Sequence, residues 1–284
     1  MRKLLTLGAM LFVLVGVFLL SLPTLLHKAG LHPEYTGPTT TLPGKRALII
    51  TTSHGVLAAP GETEGPATGV MASEFTHPYY TFLDGGMAVD IASIQGGEIP
   101  IDPQTLRFMV KSPEDERYLE DTIAQAKVKN SIPIAQVDID QYDIVFISGG
   151  WGAAYDLAQS PELAVKVSEA YYGDKAAVIG GVCHGVLGLV NARARDGKLL
   201  IAGRRMTGVT DKQIKELDIE ITPLHPETAL REAGVIFESQ TAFRDIFATH
   251  VTADDERRFV TGQNQNSGLE TSNVMMQVLA ARTQ

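Results

Sequence analysis

Val178–Leu189 reads VIGGVCHGVLGL and holds Cys183, the single cysteine of the chain. A short apolar run that stops abruptly at Cys-His predicts a buried parallel strand turning sharply into a helix. Gly181, Cys183 and Gly185 have the spacing of a nucleophile elbow, G-x-nucleophile-x-G. Such a turn throws its central side chain up from the sheet, and the flanking glycines permit the bend and the close approach of a substrate. Amides at the helix start then face the sulfur and favour the thiolate. The amide of His184 doubles as an oxyanion donor, with the Gly149-Gly150 pair supplying the second. The plain alternative is a small buried hydrophobe, the common fate of a lone cysteine.

Working outward, RALIITTS, MAVDIAS and DIVFISGG read as further buried strands, and ATHVT and RFVTG as two short ones. Between them lie helical stretches. GVMASEFTHPYYTFLDGG is one, with Pro78 expected to kink or divide it. SPELAVKVSEAYYG is another, with Ser160 as N-cap and Pro161 at its first position. GVLGLVNARA, ETALREAG (closed by Gly234) and the final ETSNVMMQVLAAR complete the set. Strands alternating with helices imply an α/β fold, an open and mainly parallel sheet with helices on both faces. Sites in such sheets lie at the carboxyl ends of the strands, where the loop after Ser53, Gly149-Gly150 and Cys183 all fall.

The formal net charge of the 284-residue chain is −9 and it has no long basic cluster, which argues against nucleic acid as a partner. One cysteine cannot form an internal disulfide or a CxxC site. No two histidines have convincing metal-ligand spacing, so no essential metal is expected.

The N-terminus carries a separate signal. Residues 1–3 are a short, basic end expected on the cytoplasmic side, because Arg2 and Lys3 outweigh the single Lys28. Residues 4–26 are uncharged and mostly apolar, long enough to cross about 30 Å of hydrocarbon. The exit LLHKAG offers no small-x-small cleavage pair, favouring an uncleaved transmembrane signal-anchor over a signal peptide. Residues 27–44, rich in Pro, Gly and Thr, read as a tether to a domain over 45–284. That domain is expected outside the cytoplasm (periplasmic or extracellular), or secreted if the segment is cleaved. Without Arg2, Lys3 and Lys28 the formal charge moves from −9 to −12, which disfavours lying flat on anionic lipid.

The motifs AVIGGVCHGVLGL, DIVFISGGWGAAYDL, ASIQGGEIPIDP, LLIAGRRMTGVTDKQ and RFVTGQNQNS occur in the chain. From Arg46 onward the chain resembles the ThiJ/PfpI superfamily of class I glutamine amidotransferase-like proteins. Within it, GGEIPIDP and the long first loop look like the larger heat-shock chaperone/glyoxalase III branch. The resemblance implies a flavodoxin-like fold, a cysteine nucleophile at Cys183, a helix glutamate at Glu74 and a histidine at His184 oriented by Asp211 of TDKQ. It also implies a homodimer. Beside these stand plainer readings: Glu74 as a solvated helix acid, His184 as an exposed residue at a helix start, and Asp211 as an N-cap.

Two departures stand out: Trp151 occupies a position where the family often has histidine after the glycine pair, and Val186 replaces its proline. Trp151 leaves the backbone donors intact and changes the pocket lining. His54 can line the pocket or merely cap a turn, and His77 and His250 read as structural. His225-Pro226-Glu227 imitates the His-x-Glu of glutaminases, but it opens a helix where relatives carry a lid or dimer segment.

Two classes of function follow. As an enzyme without cofactor, Cys183 attacks a small carbonyl such as methylglyoxal, Glu74 moves a proton between adjacent carbons, and hydrolysis releases a 2-hydroxy acid. The same thiolate attacking an amide would make a PfpI-type peptidase or amidase. As a binding module, the domain is a membrane-tethered chaperone or stress protein in which Cys183 senses oxidants.

Overall fold

Runs such as ALII and IVFI carry no charge and can be covered on both faces, so they pair in parallel in the interior of a sheet. The computed structural model describes residues 2–282. Met1, which begins the expected cytoplasmic end, and residues 283–284 at the close of the expected domain lie outside the described residues. In chain order the strands are β1 (Arg46–Thr51), β2 (Ala88–Ser93), β3 (Ile132–Pro133), β4 (Ile144–Ile147), β5 (Val178–Val182), β6 (Arg205–Met206), β7 (Ile236–Phe237), β8 (Val251–Ala253) and β9 (Phe259–Gly262). The main sheet has the order β3-β2-β1-β4-β5-β9-β8, and β6 pairs with β7 apart from it. Its pairings are parallel except β8 on β9.

The helices are α1 (Arg2–Lys28), α2 (Ala72–Asp84), α3 (Pro113–Glu120), α4 (Thr122–Lys129), α5 (Ala153–Asp156), α6 (Pro161–Tyr172), α7 (Asp211–Glu216), α8 (Pro226–Glu232) and α9 (Gly268–Arg282). Alternation along β1 sends Ala47 and Ile49 into one core layer and Leu48 and Ile50 into the other. The first layer packs under α2 and α9 through Phe75, Phe82, Met275 and Met276. Leu163 and Val167 of α6 close the second. The register Ala47↔Ile144 and Ile147↔Gly181 brings the ends of β1, β4 and β5 to one edge of the sheet.

Three expectations are corrected here. Pro78 does not divide α2, which runs unbroken past it. The segment after Cys183 is a run of 3-10 turns to Leu189, not an α-helix. Residues 27–44 are no free tether, because Leu31, His32 and Leu42 are buried against the domain. The Leu42 amide donates to the Gly85 carbonyl at 2.7 Å. The His32 ring packs edge-on against buried His77, with centroids 5.4 Å apart. Burial and the neighbouring His77 charge push the His32 pKa down to about 3, so this ring is neutral.

Candidate active site

β5 ends at Val182, and Cys183 follows with φ +56°. A side chain in that left-handed region costs about 1–2 kcal/mol, which the surrounding packing must offset. Neither flanking glycine has room for a side chain. A Cβ on Gly181 or on Gly185 would fall 2.2 Å from the Ile147 carbonyl oxygen. The elbow is thus clamped against the end of β4, and Cys183 is left 6 % exposed at the floor of a cavity of about 300 Å³.

Glu74 stands in the first turn of α2 and is completely buried. Pro78, four residues on, has no N–H to give the Glu74 carbonyl its helical bond. The Ser148 hydroxyl donates to that carbonyl instead, at 2.9 Å. The proline that should break α2 thereby fastens its start to the loop carrying Gly149 and Gly150. Gly149 fits because it has no side chain. A Cβ there would lie 2.4 Å from Glu74 Oε2 and 2.8 Å from the amide nitrogens of His184 and Gly185. Gly149→Ala is therefore expected to displace the Glu74 carboxyl. It should cost about 1–3 kcal/mol of stability by overpacking and at least about tenfold in turnover, read by thermal melts and steady-state rates.

Neither carboxyl oxygen of Glu74 has a partner in hydrogen-bond geometry. Burial therefore dominates and lifts its pKa to about 8, against the opposing pull of Cys183 and the Gly149 and Gly150 amides. Burial, and next the Glu74 charge when present, push the Cys183 thiol well up, while the His184 and Gly150 amides pull it down. No lysine or arginine is among the described residues lining the cavity to balance a thiolate. Burial thus favours the protonated form of both groups. It opposes the thiolate expected of a helix start, and the 3-10 turns supply only a few local amides in its favour.

His184 Nδ1 lies 3.5 Å from Cys183 Sγ, so the turn does fold the ring back to the sulfur. Burial first, and then the charge of His225, push its pKa down to about 3, so the imidazole is neutral. Its Nε2 is buried without a partner. Asp211, expected to hold that nitrogen, does not line the cavity. It is exposed at the first position of α7, where its carboxylate accepts from Thr228 Oγ1 at 2.8 Å. The helix cap is Thr210, not Asp211. His225 lies near enough for its charge to act on His184, but neither it nor Glu227 lines the cavity. The Glu227 carboxylate accepts the Asp211 amide at 3.0 Å and pairs with Arg231.

Gly150 and half-buried Trp151 line the cavity, and Gly149 lies at the Glu74 carboxyl. His54 does not line it. Its ring stacks on Tyr155 at 4.3 Å and its Nε2 lies 2.6 Å from the Val56 carbonyl. Gln213 and Gln265, both buried, line the wall and were not anticipated. Gln213 Nε2 donates to Gln265 Oε1 at 3.4 Å, and Asn264 Nδ2 donates to Gln213 Oε1 at 3.2 Å. The polar run QNQNS was the available signal for Asn264 and Gln265, while Gln213 lies outside it in TDKQ.

Residues 66–220 match the DJ-1/PfpI family. Glyoxalase 3 of Candida albicans is 27% identical over 221 residues, covering 74% of this chain and 89% of that protein. Glutathione-independent glyoxalase HSP31 of Saccharomyces cerevisiae is 30% identical over 175 residues, covering 59% of this chain and 69% of its own length. Among solved structures, the Rapid Encystment Protein 24 kDa of Francisella tularensis superposes with a TM-score of 0.74 at 32% identity, covering 83% of this chain and 99% of that one.

Proposed function

Because this chain belongs to the DJ-1/PfpI family, we propose that it is a cysteine-dependent enzyme of the glyoxalase III type, converting 2-oxoaldehydes to 2-hydroxy acids without glutathione. The observation that carries the reading is Cys183 set beside the fully buried Glu74 carboxyl, whose pKa burial lifts to about 8, in a cavity with no lysine or arginine among the described lining residues. Such a cavity suits an uncharged carbonyl.

A buried carboxylic acid is a two-way proton relay. One oxygen takes a proton while the other gives one, and no net charge appears in the low-dielectric site. As the Cys183 sulfur bonds to the aldehyde carbon, its proton passes to Glu74 and the Glu74 proton passes to the aldehyde oxygen, giving a hemithioacetal. Neutral His184, beside the sulfur, removes the hydrogen on that carbon while Glu74 protonates the ketone oxygen, and the product is an enediol. His184 returns its proton to the second carbon and Glu74 recovers one from the first hydroxyl, leaving the thioester of a 2-hydroxy acid. Water cleaves the thioester and restores the thiol. An aldehyde demands less of a neutral thiol than an amide does, which favours this substrate over a peptide.

The test is methylglyoxal with the full chain in D2O, without glutathione, and the lactate followed by NMR. Deuterium on the second carbon is the expected result, because a proton carried by His184 exchanges with solvent. Lactate bearing only protium there would mean that the hydrogen moves without exchange, by hydride shift or by return of a shielded proton, and no Cys183-dependent lactate would end the glyoxalase reading.

The apolar stretch Met10–Lys28, with mean hydropathy 2.2 and no buried residues, supports α1 as a single membrane anchor with the domain on the non-cytoplasmic side. Pairing with a second copy of the chain belongs to the same reading, to be checked by light scattering in detergent.

A further inference from the structure

We propose that the two loops rimming the Cys183 cavity rest on the membrane surface from which α1 emerges, and that the cavity takes aldehydes with an apolar chain from that membrane. This deepens the glyoxalase reading and rests on it and on α1 as an anchor.

The residues that follow α1 are fastened to both loops, the first between β2 and α3 and the second between β7 and β8. His32 Nε2 lies 2.7 Å from the carbonyl of Val110, in the first loop. The His32 amide donates to Asn266 Oδ1 at 2.8 Å. Asn266 Nδ2 in turn donates to the Gly30 carbonyl at 2.8 Å and to the Ile246 carbonyl, in the second loop, at 2.7 Å. Val110 and Ile246 both line the cavity. From Lys28 at the end of α1 to His32 the chain spans at most about 14 Å even if fully extended. A membrane crossed by α1 therefore lies close to this rim.

The same two loops expose apolar side chains at their tips. Phe108 is 55 % and Met109 45 % exposed on the first, and Phe243 is 98 % exposed on the second. Arg107 and Arg244, both exposed, adjoin them in sequence. Apolar tips beside guanidinium groups suit a lipid headgroup boundary, where ring and thioether enter the acyl region and the cation stays with phosphate. The overall acidity that argues against flat adsorption does not bear on a contact confined to these two tips.

The cavity itself is larger than the smallest substrate needs. Its volume of about 300 Å³ has room for about ten waters, whereas methylglyoxal leaves about half of that empty. The cavity wall is largely apolar: Val110, Val209, Leu217, Ile219 and Ile246 line it, beside the polar Asp102, Gln104, Thr105, Gln213 and Gln265. A hydrocarbon chain fits such a wall and partitions into a bilayer beforehand.

The experiment reconstitutes the full chain into phosphatidylcholine–phosphatidylglycerol vesicles and compares methylglyoxal with 2-oxooctanal. The expected result is a kcat/KM at least tenfold higher for 2-oxooctanal, lost in a Phe108→Asp, Phe243→Asp double variant that still turns over methylglyoxal normally. No preference in the wild type, or an equal loss on both substrates, overturns the proposal. A second readout needs no turnover. In a Cys183→Ser background, Phe243→Cys in vesicles should react with a polar maleimide at least fivefold more slowly than Lys198→Cys, which lies away from the rim, each normalised to the chain unfolded in urea. Equal rates overturn the docking. Absence of methylglyoxal turnover sinks the glyoxalase reading instead, and failure to float with vesicles sinks the anchor, so the failures are distinguishable.

Discussion

Glu74→Gln is expected to lower 2-oxoaldehyde turnover at least about 100-fold and to stabilise the fold at alkaline pH. The first effect follows from the relay: an amide donates a hydrogen bond but cannot exchange protons between its two ends. The second follows from linkage. Glu74 has its pKa raised from 4.5 to about 8 in the folded chain, so between those values the folded state binds more protons than the unfolded one. Its contribution to stability is present in full below about pH 4.5 and falls as pH rises through the window to about 8. Glutamine keeps the shape of the protonated acid and never ionises. The variant should therefore match the wild type near pH 4.5 and exceed it near pH 8 by a few kcal/mol, because each pH step across that window contributes on the order of 1.4 kcal/mol. Chemical denaturation at both pH values, run beside rate measurements, checks the two halves together. A variant less stable at pH 8 would mean that the folded chain holds Glu74 ionised.

Cys183→Ser should remove at least about 10⁴-fold of turnover with little change in stability. A serine hydroxyl is far less acidic and a far weaker nucleophile than a thiol, so it adds to the aldehyde carbon far more slowly. The sulfur is tucked into a clamped turn, and an isosteric hydroxyl keeps that packing. Residual turnover within tenfold of wild type would assign the chemistry to another group. A thermal shift of more than a few degrees would show that the sulfur also holds the elbow together.

The features legible in the sequence were those set by local pattern. Uncharged runs marked the buried strands, and the spacing of Gly181, Cys183 and Gly185 marked the elbow, because strand period and turn sterics act over a few residues. The Asp211 assignment depended on how α7 rolls against the sheet. Residues two apart on a helix point about 200° away from each other. Asp211 accordingly faces solvent, while Gln213 turns into the cavity wall. The docking of residues 27–44 was hidden for a related reason. Leu31 and Leu42 are isolated apolar residues in a polar stretch, and only a tertiary surface decides that they are buried. Pro78 misled because its effect on α2 is compensated by Ser148, which reaches the Glu74 carbonyl from 74 residues further along the chain.

The most direct test of the account is the rate of Cys183 alkylation by iodoacetamide against pH, in the native wild type and in Glu74→Gln. The account predicts slow reaction at pH 6–8, where a buried thiol stands beside a protonated acid. It predicts faster reaction for Glu74→Gln than for wild type above about pH 8, because the carboxylate that would repel a thiolate is gone. A wild-type rate that is already fast and flat below pH 7, or a Glu74→Gln profile that coincides with the wild type, would contradict the neutral acid–thiol pair on which the mechanism rests.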